Sequence, residues 1–262
     1  MTRKRVLALH GHSQCAHSFR LKLSAIEDAC QDTIKFVYVD APHLLMPVDV
    51  AGAFTAAEAS SPVTITINGH PARAWWRFLW EMSDADAAIK SFNCIRNVLE
   101  TEGPFDGILG FSQGVALATM VLAHLENPHI EGSLFQGIDH PPFEFAVLIS
   151  GFYAPWWSIP LGPHRLRTPS LHIFGINDIM VSPENMARLI GYFKSPRVEI
   201  HQGGHFIPRT LSWRRFLVDY LSSRGTHTGS ARSQHAVAVR SPTPPLCWEE
   251  FCSIQRMLDD AS

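Results

Sequence analysis

The run Pro104-Phe105-Asp106-Gly107-Ile108-Leu109-Gly110-Phe111-Ser112-Gln113-Gly114 constrains this chain more than any other stretch. An apolar, strand-like segment closes on Gly-x-Ser-x-Gly, and a helix-like segment from Val115 to His124 follows at once. Strand, sharp turn and helix in that order are what a nucleophile elbow requires: the serine stands on the turn with its hydroxyl clear of the backbone. Gly110 and Gly114 fit the same reading, because a side chain at either place would meet the neighbouring element where strand and helix cross. The chain is therefore expected to carry a parallel sheet with Ser112 at the carboxyl end of a central strand.

Six short apolar runs read as buried parallel strands: Arg5–Leu9, Ile34–Val39, Phe105–Gly110, Phe145–Ile149, Ser170–Phe174 and Val198–His201. Each is too apolar on both faces for a strand with one wet side. Helix-like stretches near Phe19–Cys30, Asp84–Leu99, Val115–Leu125, Pro183–Phe193 and Trp213–Leu221 alternate with them. That alternation predicts an α/β fold, a mostly parallel, doubly wound sheet of about six strands flanked by helices. In such sheets the site forms at the carboxyl ends of the strands.

Ser112 needs a base, and the base needs an orienting carboxylate. The strand Ser170–Phe174 leads into Gly175-Ile176-Asn177-Asp178, where Asp178 is the sole acid of its loop. The last strand leads into Gln202-Gly203-Gly204-His205-Phe206, whose glycines allow the turn that would bring His205 back over the elbow. The order Ser, acid, His is that of the α/β-hydrolase arrangement. Ser112, Asp178 and His205 are thus the expected catalytic residues. Oxyanion donors are expected from the backbone N–H of Gln113 and from the loop His10-Gly11-His12-Ser13 after the first strand, with His12 favoured and Ser13 second. A metal reading of His10 with His12, or of His201 with His205, fails for want of a third ligand or of a helix to hold the pair. No metal and no cofactor is expected.

Two aromatic clusters follow strands at the same end. Trp75, Trp76, Phe78 and Trp80 form one, and Phe152, Tyr153, Trp156 and Trp157 the other. Singly each reads as core. As clusters they give the expectation of an apolar substrate pocket lined by Trp75, Trp76, Phe152, Tyr153 and Trp157, suited to an acyl chain.

A formal net charge of −2 over 262 residues offers nothing to nucleic acid. No window approaches the ~20 apolar residues of a membrane span. Five cysteines without a CxxC pair read as reduced thiols of a cytoplasmic protein. Residues 1–224 are expected to form one hydrolase domain. The stretch 225–262, rich in Ser, Thr, Pro, Arg and His up to Pro245, is expected to be a polar, partly disordered extension.

Taken together, Arg5-Val6-Leu7-Ala8-Leu9-His10-Gly11, Ala41-Pro42-His43, Arg73-Ala74-Trp75-Trp76, the Gly103–Gly114 run, Ile149-Ser150-Gly151-Phe152 and Gly203-Gly204-His205-Phe206-Ile207-Pro208 resemble the FSH family, the "family of serine hydrolases". That family includes fungal esterases and thioesterases and the animal ovarian-tumour-candidate esterase. The resemblance spans Arg5 to about Leu221. It implies an α/β-hydrolase without cofactor, a triad on Ser112, Asp178 and His205, and carboxylic ester or thioester substrates. It further implies, for some fungal relatives, release of a polyketide acyl product from an acyl carrier protein. Ile176 stands where the family often has an acidic or small polar residue, and His12 where a bulky apolar one is commoner. The alternatives are a general carboxylesterase of short-to-medium acyl esters and, in another class, a non-catalytic ligand-binding relic of the fold.

Overall fold

Alternate residues of a strand point to opposite faces, and both faces here are apolar. Val6 and Ala8 of β1 (Lys4–Leu9) pack on one side of the sheet while Leu7 and Leu9 pack on the other. The computed structural model describes residues 2–49, 63–77, 85–129, 133–154 and 165–225. Among them, β1 is followed by α1 (Ala16–Cys30) and β2 (Ile34–Val39), then by four two-residue strands. These are β3 (His43–Leu44), β4 (Thr66–Ile67), β5 (His70–Pro71) and β6 (Arg73–Ala74). After them come α2 (Ala85–Glu102), β7 (Gly107–Phe111), α3 (Gln113–Glu126), β8 (Phe145–Ile149), β9 (Ser170–Gly175), α4 (Pro183–Gly191), β10 (Pro196–His201) and α5 (Leu211–Gly225).

The main sheet has the strand order β10-β9-β8-β7-β1-β2, and every pairing in it is parallel. The chain builds outward from β1 to β2, then crosses back to β7 and builds the other way. β1 and β7 therefore flank the point where the winding reverses, and a crevice opens beyond their carboxyl ends. The loop that starts at His10 leaves from one of those ends and Ser112 from the other.

One face of the sheet is covered by α1 and α5, through Phe19, Leu23, Ile26, Trp213, Phe216 and Leu217. The other is covered by α2, α3 and α4, with Trp75, Trp76 and Phe152 inside the same cluster. Helix α3 is buried nearly all round, which fixes its position under the sheet.

The expected fold class and strands match this sheet to within two or three residues. β7 begins two residues later than its apolar run, because Asp106 is drawn into the edge of β1: Arg5 N–H donates to its carboxylate at 2.7 Å and Lys4 Nζ at 3.0 Å. The run Val63–Ile67 enters a hairpin with β5. Its two-residue turn is Asn68-Gly69, both at positive φ (52° and 79°), the mirror-image turn that suits twisted strands. The extension expected at 225–262 lies outside the described residues from 226 onward.

Two fully buried histidines are held neutral. His10 Nδ1–H donates to Gly11 O at 2.7 Å, and Nε2 accepts from Ala41 N–H at 3.1 Å, so burial lowers its pKa to about 4. His172, packed on Phe193 and bonded through Nε2 to Ser170 Oγ at 3.0 Å, is lowered to about 3 by burial. Both values lie below the ordinary 6.5 of an unfolded chain, which therefore takes up more protons than the folded one as pH falls through that range. Stability should be full above pH 6.5 and fall toward pH 4, by on the order of 2 kcal/mol per histidine at pH 5. Urea unfolding midpoints at pH 7.5 and pH 5.0 check this; equal midpoints would mean that these rings are not held neutral.

Candidate active site

Ser112 sits at φ 52°, ψ −119°, between the last residue of β7 and the first of α3. A residue with a side chain pays about 1–3 kcal/mol for such a backbone, and the surroundings enforce it. Its N–H donates to Ile149 O at 2.9 Å across the sheet, and its carbonyl accepts from Val115 N–H at 2.9 Å. A Cβ on Gly114 would lie 2.3 Å from Leu9 O, so α3 can pass this close to β1 only with glycine there.

The hydroxyl of Ser112 donates to His205 Nε2 at 2.9 Å, and His205 Nδ1–H donates to Asp178 Oδ2 at 2.8 Å. The second oxygen of Asp178 accepts from Met180 N–H at 2.9 Å and Val181 N–H at 3.0 Å. The carboxylate is fully enclosed, while the imidazole remains 19% exposed toward solvent. The three residues expected from the sequence thus stand in one hydrogen-bonded line. With Nδ1 protonated toward the carboxylate, Nε2 is left as the acceptor that a serine nucleophile requires.

The loops that carry acid and base are tied to each other. Ile176 N–H donates to His201 O at 2.9 Å, Asn177 N–H to Gly203 O at 3.0 Å and Asn177 Nδ2 to Gln202 O at 2.9 Å. Gly175 permits the approach, since a Cβ there would stand 2.3 Å from Gly203 O.

A second set of bonds holds the loop after β1. Gln113 is fully buried; its Oε1 accepts from Trp75 N–H at 2.8 Å, and its Nε2 donates to Trp76 O at 2.8 Å. Trp75 Nε1–H in turn donates to His10 O at 2.8 Å, Arg73 N–H to Gln14 O at 2.9 Å and His12 Nε2–H to Arg77 O at 2.9 Å. Residues 73–77 therefore bind both the first turn of α3 and the His10–Gln14 loop. Gln113 and His12, the two expected backbone donors, are braced by one strap.

Ser112 and His205 open on a cavity of about 260 Å³ lined also by His12, Ser13, Gln14 and Lys22 and by Phe111, Met180, Phe206 and Ile207. The aromatic pocket expected from the sequence is corrected here in three of its five members. Trp75 and Trp76 are 0% and 1% exposed and Phe152 is 1% exposed, all three in the core. Their segment is turned inward because Gln113 and Ser91 hold its backbone groups. Tyr153 stacks on Tyr192 at 5.1 Å and is not among the residues that line this cavity, and Trp157 lies outside the described residues. Phe111, Phe206 and Ile207 adjoin the motif residues and were within reach of the sequence reading. Lys22 was not, since it comes from α1 by tertiary packing.

The FSH1 serine hydrolase model matches residues 1–217. The chain belongs to this serine hydrolase family. It is 30% identical over 233 residues to the esterase OVCA2 of Danio rerio, covering 83% of this chain and 96% of that one. To the esterase OVCA2 of Mus musculus it is 33% identical over 230 residues, covering 83% and 95%. Among solved structures, acyl-protein thioesterase 2 of Zea mays superposes with a TM-score of 0.56 at 18% identity, covering 86% of this chain and 95% of that one. The Arabidopsis thaliana protein SOBER1 gives 0.55 at 15%, covering 85% and 99%. These structural likenesses establish the fold. Family membership makes the chain a serine hydrolase.

Two outcomes follow from this geometry. Gly175→Ala should lower kcat on ester substrates by about 100-fold, by forcing the acid and histidine loops apart, and KM should change far less. Steady-state kinetics check this, and an unchanged kcat would show that the contact is soft. Trp76→Ala should lower Tm, as loss of a buried ring costs about 3–5 kcal/mol, without altering acyl-length preference. A shift in that preference, read from kcat/KM across acyl lengths, would return Trp76 to the pocket.

Proposed function

We propose that the chain hydrolyses carboxylic esters or thioesters of apolar acyl chains through an acyl-enzyme on Ser112. The line Ser112–His205–Asp178, at 2.9 and 2.8 Å and opening on the cavity, is the observation that carries the reading. His205 Nε2 takes the proton of Ser112 as Oγ bonds to the acyl carbon, and Asp178 stabilises the imidazolium. The backbone N–H groups of Gln113 and His12 receive the oxyanion. Gln113 opens α3, so its N–H has no partner within the helix. Each such donor is worth roughly 3 kcal/mol in other enzymes. The C–O or C–S bond then breaks, His205 returns the proton to the alcohol or thiol, and water repeats the sequence on the acyl-enzyme.

Within this class we assign the chain to release of a polyketide-type acyl product from an acyl carrier protein in a fungal biosynthetic pathway. That reading rests on the resemblance of its motifs to the FSH family, some of whose fungal members act on carrier-bound acyl thioesters. A general carboxylesterase of short-to-medium acyl esters is the second, favoured by the modest size of the cavity and by the esterase names of its relatives. The setting is cytoplasmic in either case, in keeping with the free thiols of Cys15, Cys30 and Cys94. None of the described helices is long and apolar enough to cross a membrane.

The test is kcat/KM for matched oxygen esters and N-acetylcysteamine thioesters over a range of acyl lengths, with Ser112→Ala as blank. Ser112→Ala should cost about 10⁴-fold or more in kcat with its circular dichroism unchanged. Thioester preference beyond the ratio of uncatalysed rates, rising with chain length, supports carrier-protein release. Equal or ester-favouring rates support the general esterase, and near wild-type turnover by Ser112→Ala refutes the mechanism.

A further inference from the structure

Lys22 lines the cavity beside Ser112 and also a second, smaller groove of about 160 Å³. That groove is walled by Leu21, Ala25 and Ile26 of α1 and by Arg209 and Arg214 from the start of α5 and the loop before it. It therefore holds three cationic side chains, with no carboxylate among the residues that line it. Seven other cations, Lys4, Arg20, Arg73, Arg96, Arg167, Arg188 and Arg197, each make an ion pair. Lys22, Arg209 and Arg214 make none among the described residues, and Arg214 Nε is buried without a hydrogen-bond partner. On a chain of net charge −2, such a grouping is not a by-product of a basic surface. Three like charges left together in a concave, partly apolar site repel one another until an anion joins them.

The acid and histidine loops have a different character. Ile179 is 94% exposed, and Met180 and Phe206, both lining the cavity, are 42% and 49% exposed. The acid and histidine loops thus expose apolar side chains, while α1 and the start of α5 line a cationic groove that shares Lys22 with the cavity. We propose that the groove of Lys22, Arg209 and Arg214 is an anion subsite, and that the preferred substrate carries a phosphate or carboxylate in addition to its apolar acyl chain. The inference rests on the hydrolase reading above and narrows its substrate class. The anion sits on the leaving group when the substrate is a phosphate-bearing thioester, and on the acyl chain when it is the half-ester of a dicarboxylic acid. In both, guanidinium and ammonium donors meet anionic oxygens, the pairing in which hydrogen bonds are strongest.

Two matched substrate pairs separate the sources. One is hexanoyl-coenzyme A against hexanoyl-N-acetylcysteamine, equal in acyl group and thioester reactivity. The other is the monomethyl ester of adipic acid against methyl hexanoate. The readout is the ratio of kcat/KM for the anionic over the neutral member, in the wild type and in Arg209→Ala, Arg209→Glu and Lys22→Ala. The wild type should favour the anionic member of one pair by at least about fivefold, and Arg209→Glu should abolish that preference. The preference should also shrink as salt rises from 20 to about 500 mM, a readout that needs no variant. Which pair responds identifies where the anion is carried. A ratio near one in both pairs, or a preference that survives every variant and high salt, overturns the subsite. Failure to hydrolyse the neutral members too would sink the hydrolase reading itself, whereas their hydrolysis without anionic preference would sink only this inference.

Discussion

Everything at this site depends on one crossing, where α3 leaves β7 and passes beneath the end of β1. Gly114 stands against the carbonyls of Leu9 and His10 at distances that admit no side chain. The residue before the helix is then forced to positive φ, and that residue is Ser112. The strain stays local because α3 is buried nearly all round and cannot tilt away, and because β7 is locked between β1 and β8. A relaxed Ser112 would need either the helix or the sheet to move, and both are core. The nucleophile is thus held in its strained geometry by the packing of the core.

Two stitched structures act around that fixed point. On one side, the loops of Asp178 and His205 share main-chain bonds, so acid and base are positioned as one unit. On the other, residues 73–77 bind Gln113 and the His10–Gln14 loop together. The same buried amide of Gln113 that satisfies Trp75 and Trp76 thereby sets the geometry between the two backbone donors. Both halves meet at Ser112, and preorganisation of this kind is what lets dipoles act on a developing oxyanion without reorganising.

The strands and the elbow were legible in the sequence for one physical reason: parallel strands buried on both faces leave continuous apolar runs. The loops that carry Asp178 and His205 could be found because a parallel sheet puts each of them at a strand's carboxyl end. The pocket was not legible. A tryptophan looks alike in sequence whether it lines a cleft or fills a core, and what turned Trp75 and Trp76 inward was a buried glutamine 37 or 38 residues away. Lys22 joins the cavity only through the packing of α1, which no local pattern announces. The hairpin at Asn68-Gly69 carries a two-residue turn signal, but its strands are only two residues long, too short to show an alternating pattern.

The central claim is that Ser112 is a nucleophile activated by His205 and Asp178. Peptide-resolved mass spectrometry after brief exposure to a fluorophosphonate at neutral pH tests it most directly, since only an activated serine captures phosphorus quickly. A single adduct on Ser112, formed far more slowly in His205→Ala, is the result this structure predicts. An adduct on another residue, or labelling of Ser112 at the same rate without His205, would contradict it.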